Sequence, residues 1–178
     1  HGHMNAVGYD LYCKMLSEAV KEAKGIHTME DFETTIDLNM DAFIPDSYIS
    51  NEYQKLDIYK RIAGIETQQD YDDMLEELLD RFGELPKAVM NLLTIAKIKA
   101  LAHRSYVTEI KQLGKDMRIT LYEKAKLNPA GMPVLLQKYR RGLQFKNEQE
   151  PKFILTPEGK VLDSLTEFLQ ELESMVEE

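Results

Sequence analysis

The pattern of apolar positions between residues 43 and 86 indicates two helices joined by a short turn. In the second of these helices, apolar residues recur at helical spacing and acidic residues occupy other faces. The apolar positions are Tyr71, Met74, Leu75, Leu78, Leu79 and Phe82, and the acidic ones are Asp73, Glu76, Glu77 and Asp80. We therefore expect one face of this helix to pack against the protein and another to remain strongly negative.

Local signals place the ends of these helices. The first is predicted to run over residues 51–63 and to end at Gly64. Thr67 and Asp70 have the spacing of a capping box at the start of the second helix. Gly83 follows its last apolar residue, so we expect a left-handed C-terminal cap there, and Pro86 then opens the next helix.

The first 40 residues contain two further patterns. Residues 12–23 show an amphipathic helical stripe that ends at Gly25. Residues 34–40 instead alternate, with Ile36, Leu38 and Met40 on one side, which predicts a strand. This strand has no neighbouring partner along the chain, so it must pair with a strand that is distant in sequence.

The second half of the chain changes from helices to short strands. Residues 86–105 are apolar on nearly every side and should form the most buried helix. A hairpin around Gly114 joins the strand candidates 108–113 and 117–122, and Asn128 is expected to cap a helix that begins at Pro129. Further strands are predicted at 143–145 and 153–155, before a last helix over 161–176.

These elements predict an α+β fold in which a helical N-terminal half packs on a small mixed sheet with flanking helices. We divide the chain into residues 1–25, a mainly helical half over 26–105 that carries the acidic face, and a small α+β half over 106–178. The last two are expected to form one compact domain overall.

Composition favours a protein partner over nucleic acid. The chain has 22 lysines and arginines against 31 aspartates and glutamates, a net charge of −9, which repels nucleic acid and attracts a basic protein surface. Its single cysteine, Cys13, excludes an intramolecular disulfide and fits a reduced, cytoplasmic setting. No apolar run reaches membrane-spanning length and no signal peptide is present, so we expect a soluble protein with no membrane partner.

The usual signatures of catalysis, cofactor binding and metal binding are absent from the sequence. Gly114-Lys115 is followed by Asp116 and lacks the upstream glycine of a phosphate-binding loop, so it is interpreted as a hairpin turn. The four histidines lack metal-ligand spacing, and the acidic helix does not provide the glycine-containing loop that calcium requires. We expect no catalytic residues, no cofactor and no metal, and this chain is not predicted to be an enzyme.

Basic residues form two clusters for which two interpretations stay open. The members are Lys97, Lys99, His103, Arg104, Lys111 and Lys115 in the first cluster, and Lys138, Arg140 and Arg141 in the second. Solvated lysines are the default explanation, and DNA contact is the alternative. Only Arg104, Tyr106, Tyr139 and Arg140 offer groups that could stack along a nucleic-acid groove.

Three ordered motifs resemble the C-terminal (TRCF) domain of bacterial transcription-repair coupling factors. They are the proline-containing loop at 44–46, the Tyr-Lys-Arg-Ile-Ala sequence at 59–63, and the Glu-Leu-Leu-Asp-Arg-Phe-Gly-Glu-Leu-Pro sequence at 77–86. Residues 7–12 resemble a fourth motif, so we expect the chain to be a fragment of a longer protein whose residues 1–25 form a linking helix from a preceding translocase module. Residues 1–4 are either native or the remnant of an expression tag.

The resemblance implies a parent protein that is an ATP-dependent, helicase-like DNA translocase acting in nucleotide excision repair of DNA damage. Such a parent recognises RNA polymerase stalled on DNA and recruits repair proteins. The domain itself is expected to be regulatory and autoinhibitory: it would dock on the UvrB-like N-terminal module of the same protein and mask the surface that binds UvrA. The alternative is an accessory domain of the same translocase that contacts DNA or RNA polymerase.

The same resemblance, together with the acidic helix face, selects the candidate site residues. The expected partner-binding residues are Glu77, Asp80, Arg81, Asp73 and Glu84. The residues expected to maintain the structural motif are Phe82, Gly83, Pro86, Tyr59 and Arg61. In this interpretation Glu77 and Asp80, three positions apart on one helix face, accept charge-assisted hydrogen bonds from arginines of the docking module.

Overall fold

The computed structural model describes residues 32–177. The predicted helix over residues 12–23 and Cys13 lie outside the described residues. Within the described part, the chain divides into two compact units. Unit 1 is Met40–Lys97, and unit 2 consists of Phe32–Asn39 together with residues 98–177.

Unit 1 is built from helices whose ends follow local capping rules. Helix α1 spans Glu52–Ala63, α2 spans Gln68–Phe82, and α3 spans Lys87–Arg104 and continues into unit 2. The side chain of Asn51 accepts a hydrogen bond from the backbone amide of Gln54 at the start of α1. The predicted capping box is confirmed: Thr67 accepts from the Asp70 amide, and the Asp70 carboxylate accepts from the Thr67 amide.

Helix α3 is confirmed as the most buried of the described helices. Eight of its residues are buried: Val89, Leu92, Leu93, Ile95, Ala96, Ile98, Leu101 and Ala102. By contrast, α1 buries only Ile58 and Ile62, and α2 only Met74 and Leu78. Because α3 is apolar on nearly every side, its side chains avoid water only when the helix lies in the protein interior.

Gly83 adopts a positive φ, but the expected left-handed helical cap is wrong. Its dihedral angles are φ 87° and ψ −164°, whereas a left-handed helical residue has ψ near +47°. The Gly83 amide still donates to the Leu79 carbonyl at 3.1 Å, and the Gly83 carbonyl accepts from the Tyr48 hydroxyl at 2.9 Å. The peptide unit therefore turns toward Tyr48 instead of curling back over the helix, in a region of φ and ψ open almost only to glycine.

Unit 2 contains a five-stranded mixed sheet. The strands are β1 (Thr35–Asp37), β2 (Val107–Leu113), β3 (Asp116–Leu121), β4 (Leu143–Lys146) and β5 (Lys152–Leu155), arranged in the order β1-β2-β3-β5-β4. β1 runs parallel to β2 and the other neighbours are antiparallel. The predicted distant pairing of the first strand is confirmed, and so is the hairpin, whose Gly114 has φ 62°. The first strand is shorter than predicted.

One face of this sheet forms the core of unit 2. A single cross-strand row contains Ile36, Ile110, Ile119, Phe153 and Phe145. Helix α5 (Val161–Glu173) buries four residues in the same unit, Leu165, Phe168, Leu169 and Leu172. The rings of Phe153 and Phe168 meet edge to face at 5.2 Å, which links the sheet to this helix.

The remaining helix begins differently from its prediction. Asn128 does cap the turn at Pro129, but Pro129–Gly131 is a 3₁₀ turn, and helix α4 spans Met132–Tyr139. Helix α5 ends at Glu173, and Val176 instead forms a β-bridge with Leu127. These elements confirm the α+β fold class. Among the described helices, none combines the length and apolar character needed to cross a membrane.

Candidate docking site

The candidate site lies on helix α2, which divides into a buried side and an exposed side. Met74 and Leu78 are buried in unit 1. Asp73, Asp80 and Arg81 are exposed, and Glu77 lies at the border, with 31% of its side chain exposed. The predicted acidic face is therefore at the surface, but the prediction that Leu79 packs with the other apolar positions is wrong, because this side chain is exposed.

Glu77 binds two arginines of its own unit. Arg61, on α1, donates from Nη2 to Glu77 Oε1 at 2.6 Å, and its Nη1 donates to Oε2. Arg81, one helical turn after Glu77, donates from Nη1 to Oε2 at 2.9 Å. We call these three residues the Arg61–Glu77–Arg81 network. It links α1 to α2 and brings together one predicted structural residue and two predicted partner-binding residues.

The network keeps the Glu77 carboxylate ionised. The hydrogen bonds from Arg61, with a smaller contribution from Arg81, lower the pKa of Glu77 from 4.5 to about 2. The same hydrogen bond to Glu77 raises the pKa of Arg61. The three side chains carry two positive charges and one negative charge, so Glu77 is not a free acceptor on this surface.

The other predicted acidic residues do not join this network. Asp73 accepts a hydrogen bond from Gln69 Nε2 at 2.8 Å. Asp80 and Glu84 are exposed, and neither forms an ion pair with any residue in the described range 32–177. Asp80 is therefore the acidic candidate that is both exposed and adjacent to Arg81 in the sequence.

Aromatic residues fix the C-terminal end of α2. The guanidinium of Arg81 lies 4.9 Å from the centre of the Phe82 ring, and the Phe82 ring lies 5.9 Å from the ring of Tyr48. The Tyr48 hydroxyl donates to the Gly83 carbonyl and also lies 3.2 Å from the Leu78 carbonyl. Tyr48 thus gives a hydrogen-bond donor to the Gly83 carbonyl, which lies just beyond the last residue of α2.

Tyr48 belongs to a loop that Tyr59 holds in place. The Tyr59 hydroxyl accepts a hydrogen bond from the Ile44 amide at 2.8 Å, and burial raises the pKa of Tyr59. Lys55 forms an ion pair with Asp46 in the same loop. The role of Tyr48 was missed by sequence reasoning. Its position in the proline-containing loop, three residues after Pro45, was the only available signal.

Pro86 and the basic clusters serve local structure. The Pro86 carbonyl accepts from the amides of Val89 and Met90 and so starts α3.

Lys97 donates to Gln68 and lies 4.6 Å from the centre of the Tyr71 ring. One cation of each cluster has acidic partners: Arg104 pairs with Glu173, and Lys138 pairs with Glu167 and Glu171. Within the part of the chain that the structure describes, no group of histidine, cysteine, aspartate and glutamate could hold a metal ion.

Comparison with known proteins identifies the family. The sequence profile of the TRCF domain matches residues 38–132, a range that contains α1, α2, α3 and the whole candidate site. The chain belongs to the TRCF domain family. The motifs at 44–46, 59–63 and 77–86 that suggested this family all lie within the matched range.

Relatives of this TRCF domain are transcription-repair-coupling factors. The protein of Bacillus subtilis (strain 168) is 43% identical over 126 residues, which cover 70% of this chain and 11% of the relative. The protein of Staphylococcus haemolyticus (strain JCSC1435) is 38% identical over 182 residues, covering 99% of this chain and 16% of the relative. The chain thus spans a small part of the length of these relatives.

A solved structure has the same fold. It is the crystal structure of the C-terminal domain of a transcription-repair coupling factor, which matches with a TM-score of 0.72 and 25% sequence identity. The match covers 81% of this chain and 94% of the solved chain. The TRCF domain described here therefore shares the α+β architecture of that C-terminal domain.

Proposed function

We propose that this TRCF domain is a regulatory, autoinhibitory interaction domain of a transcription-coupled DNA repair translocase. It docks on the UvrB-like N-terminal module of the same protein and masks the surface through which that module binds UvrA. Its parent is an ATP-dependent DNA translocase that engages RNA polymerase and DNA, whereas this domain has no catalytic role of its own. Membership of the TRCF family and the names of the relatives support this proposal.

The observation that carries the proposal is the exposed, acidic and rigidly held surface of α2. Unit 1 has six lysines and arginines against twelve aspartates and glutamates, a net charge of −6, whereas the described part of unit 2 has thirteen of each. The negative charge of the chain is therefore concentrated in the unit that carries α2. A basic partner surface is attracted to this unit, and complementary charge favours its association in a defined orientation.

The Arg61–Glu77–Arg81 network gives this surface both signs of charge. Glu77 is held by two guanidiniums of its own unit, so a partner arginine meets the exposed Asp80 first and shares Glu77 at most. Arg81 uses only Nη1 in the network, and its other donors can reach a partner carboxylate. Glu77 then acts mainly by positioning Arg61 and Arg81, while Asp80 and Arg81 make the contacts.

Direct DNA binding by this domain is the less favoured alternative. Arg104, one of the two arginines expected to face a groove, pairs with Glu173, and Lys138 of the second cluster pairs with Glu167 and Glu171. Each such pair cancels charge that a phosphate backbone would need. No comparable pairing occupies Asp80 among residues 32–177, so the geometry supports a basic protein partner more strongly.

The experiment compares full-length parent proteins carrying Asp80→Ala with Arg81→Ala against wild type. Both side chains are exposed, so folding should be nearly unchanged, and the matched control is Glu158→Ala with Lys160→Ala on an exposed segment of unit 2. Pull-down with UvrA and DNA-stimulated ATPase activity are measured. We expect the site variant, and not the control, to bind UvrA more strongly and to hydrolyse ATP faster.

A folded site variant that binds UvrA no better than wild type and shows wild-type ATPase activity would contradict the docking role. Such a result would mean that α2 is a solvated surface and that any restraint of the translocase lies elsewhere. Equal increases in UvrA binding and ATPase activity in the site variant and in the control would also contradict the docking role, because the effect would then not depend on α2.

A further inference from the structure

We infer that one side of α2 is a groove for an amphipathic helix whose apolar stripe is flanked by lysines or arginines. This side, which we call the Leu79 face, consists of Asp72, Leu75, Glu76, Leu79 and Asp80, which together line a shallow depression. The inference deepens the proposed function and rests on it for the identity of the partner, since the helix would belong to the docking module. The apolar and acidic groups that would recognise such a helix all belong to α2.

The Leu79 face is distinct from the Arg61–Glu77–Arg81 network. Its residues follow the spacing i, i+3, i+4, i+7 and i+8, so they form a continuous stripe along the helix. The network lies on the other side of the exposed surface, and Asp80 is the residue closest to both. The two features therefore form one continuous surface, with charge pairing on one side and an apolar stripe on the other.

Leucine exposure sets the Leu79 face apart from the rest of α2. Leu79 is 47% exposed, whereas Leu78 is 0% exposed and Met74 is 4% exposed. Leu75, one turn before Leu79, is only partly buried and extends the same apolar stripe. An exposed leucine with a partly exposed leucine one helical turn away can anchor a second helix that packs along the face.

The acidic border of the stripe selects the charge of the partner. Asp72, Glu76 and Asp80 are exposed and, within the described residues, none of them pairs with a cation. Asp72 accepts a hydrogen bond from the neutral Gln68 amide, at 2.9 Å. A helix with basic residues on both sides of its apolar stripe would place its charges against these three carboxylates.

The same border disfavours two other occupants. In a symmetric dimer through this face, the three carboxylates of each copy would lie against those of the other, and each unit 1 carries a net charge of −6. The N-terminal segment over residues 12–23 has a predicted apolar stripe, but it contains two lysines and two glutamates. It therefore lacks the positive charge that the Leu79 face calls for.

The test titrates the whole chain with a synthetic peptide of leucine and lysine, about four helical turns long, with lysines on both sides of an apolar stripe. Two further peptides are a scrambled sequence of the same composition and a version with glutamate in place of lysine. Leucine methyl shifts and the dissociation constant are measured by NMR. The Leu79→Ala variant has a closely matched control in Leu113→Ala, because Leu113 is 48% exposed but lies in unit 2.

We expect saturable shifts of the Leu75 and Leu79 methyl groups with the amphipathic basic peptide only. Leu79→Ala should weaken this binding about tenfold and Leu113→Ala should leave it unchanged, while Glu76→Lys should weaken it through charge repulsion. Equal binding of the scrambled peptide, or no effect of Leu79→Ala, would overturn the inference. Nuclear Overhauser contacts in the free chain between Leu79 and residues 12–23 would also overturn it, because they would assign this face to the chain itself.

Peptide binding at Leu79 and UvrA binding by the parent protein test the groove and the docking role separately. If the peptide binds at Leu79 but the Asp80→Ala with Arg81→Ala variant leaves UvrA binding unchanged, the docking role fails and the groove stands. If that variant binds UvrA more strongly than wild type but Leu79→Ala does not affect peptide binding, the docking role stands and the groove is wrong.

Discussion

The Nη2 atom of Arg61 lies 2.6 Å from the Oε1 atom of Glu77, although the two residues belong to different helices and are 16 positions apart. This contact changes the role expected of Glu77. A carboxylate that was predicted to receive arginines of a partner already receives one from α1 and another, Arg81, from its own helix. In the proposed docking role, the surface that remains for a partner is formed by Arg81 and the Leu79 face, which includes Asp80.

The pH dependence of stability should reveal the network. The folded-state pKa of Glu77, about 2, lies below its ordinary value of 4.5. The stabilisation is therefore present above pH 4.5 and is lost as the pH falls toward 2. Glu77→Gln should lower the free energy of unfolding by about 1 kcal/mol at pH 7, because solvent screens this partly exposed network.

Urea unfolding of wild type and Glu77→Gln at pH 7, 4 and 2.5 measures this difference. The difference in the free energy of unfolding between the two proteins should shrink as the pH falls below 4.5. Gln54→Ala is the control, because this exposed side chain carries no ionisable group and its removal should show no such change. A gap that stays constant over this range would show that the arginines do not stabilise the fold through the Glu77 charge.

Truncation within α3 should destabilise the protein strongly. Leu93 is fully buried, and Leu93→Ala should cost about 2 to 5 kcal/mol because it leaves a cavity in the core. Lys87→Ala, at an exposed position of the same helix, should cost less than about 0.5 kcal/mol. Thermal unfolding with equal effects of the two changes would contradict the central position of this helix.

Substitution of Gly83 should cost stability through the backbone alone. A Cβ atom at Gly83 would meet no atom within 4 Å, so the φ of +87° is the only obstacle. Gly83→Ala should therefore cost about 1 to 3 kcal/mol. Gly159→Ala is the matched control: it also faces open space, but without a positive φ. Chemical denaturation of both variants tests this, and a loss of equal size at Gly159 would refute it.

Removal of the Tyr48 hydroxyl should loosen the end of α2. Tyr48→Phe keeps the ring beside Phe82 but leaves the Gly83 carbonyl without this donor, so a cost of about 1 kcal/mol is expected. Tyr53→Phe, at a side chain that is 85% exposed, should have no effect. Amide hydrogen exchange at residues 79–83 provides a local measurement. Exchange that is unchanged in Tyr48→Phe would rule out this role of the hydroxyl.

The isolated chain should neither bind nor hydrolyse ATP. Gly114 and Lys115, its nearest approach to a phosphate-binding sequence, form the turn of the β2–β3 hairpin. Calorimetric titration with ATP and a phosphate-release assay measure the two properties. Hydrolysis that disappears when a residue of this chain is mutated would contradict the prediction.

The sequence by itself determined the features that depend on near neighbours. The caps at Thr67 and Asn128 form between residues two or three positions apart, so their spacing is readable without the fold. The periodicity of α2 likewise separated the buried Met74 and Leu78 from the acidic positions, although it also placed the exposed Leu79 with Met74 and Leu78. The need for glycine at position 83 was also readable, since a strongly periodic helix ends there.

Only the tertiary structure decided which distant groups meet. Glu77 could be predicted to lie among the acidic positions of α2, but its pairing with Arg61 depends on how the fold brings α1 and α2 together. The Tyr48 hydroxyl, 35 positions from Gly83, sets a conformation of that glycine that a local cap rule predicted incorrectly. The physical reason is that periodicity and capping energies act within one or two helical turns, whereas the partners of a charge or a carbonyl are whatever the folded chain brings within hydrogen-bond distance.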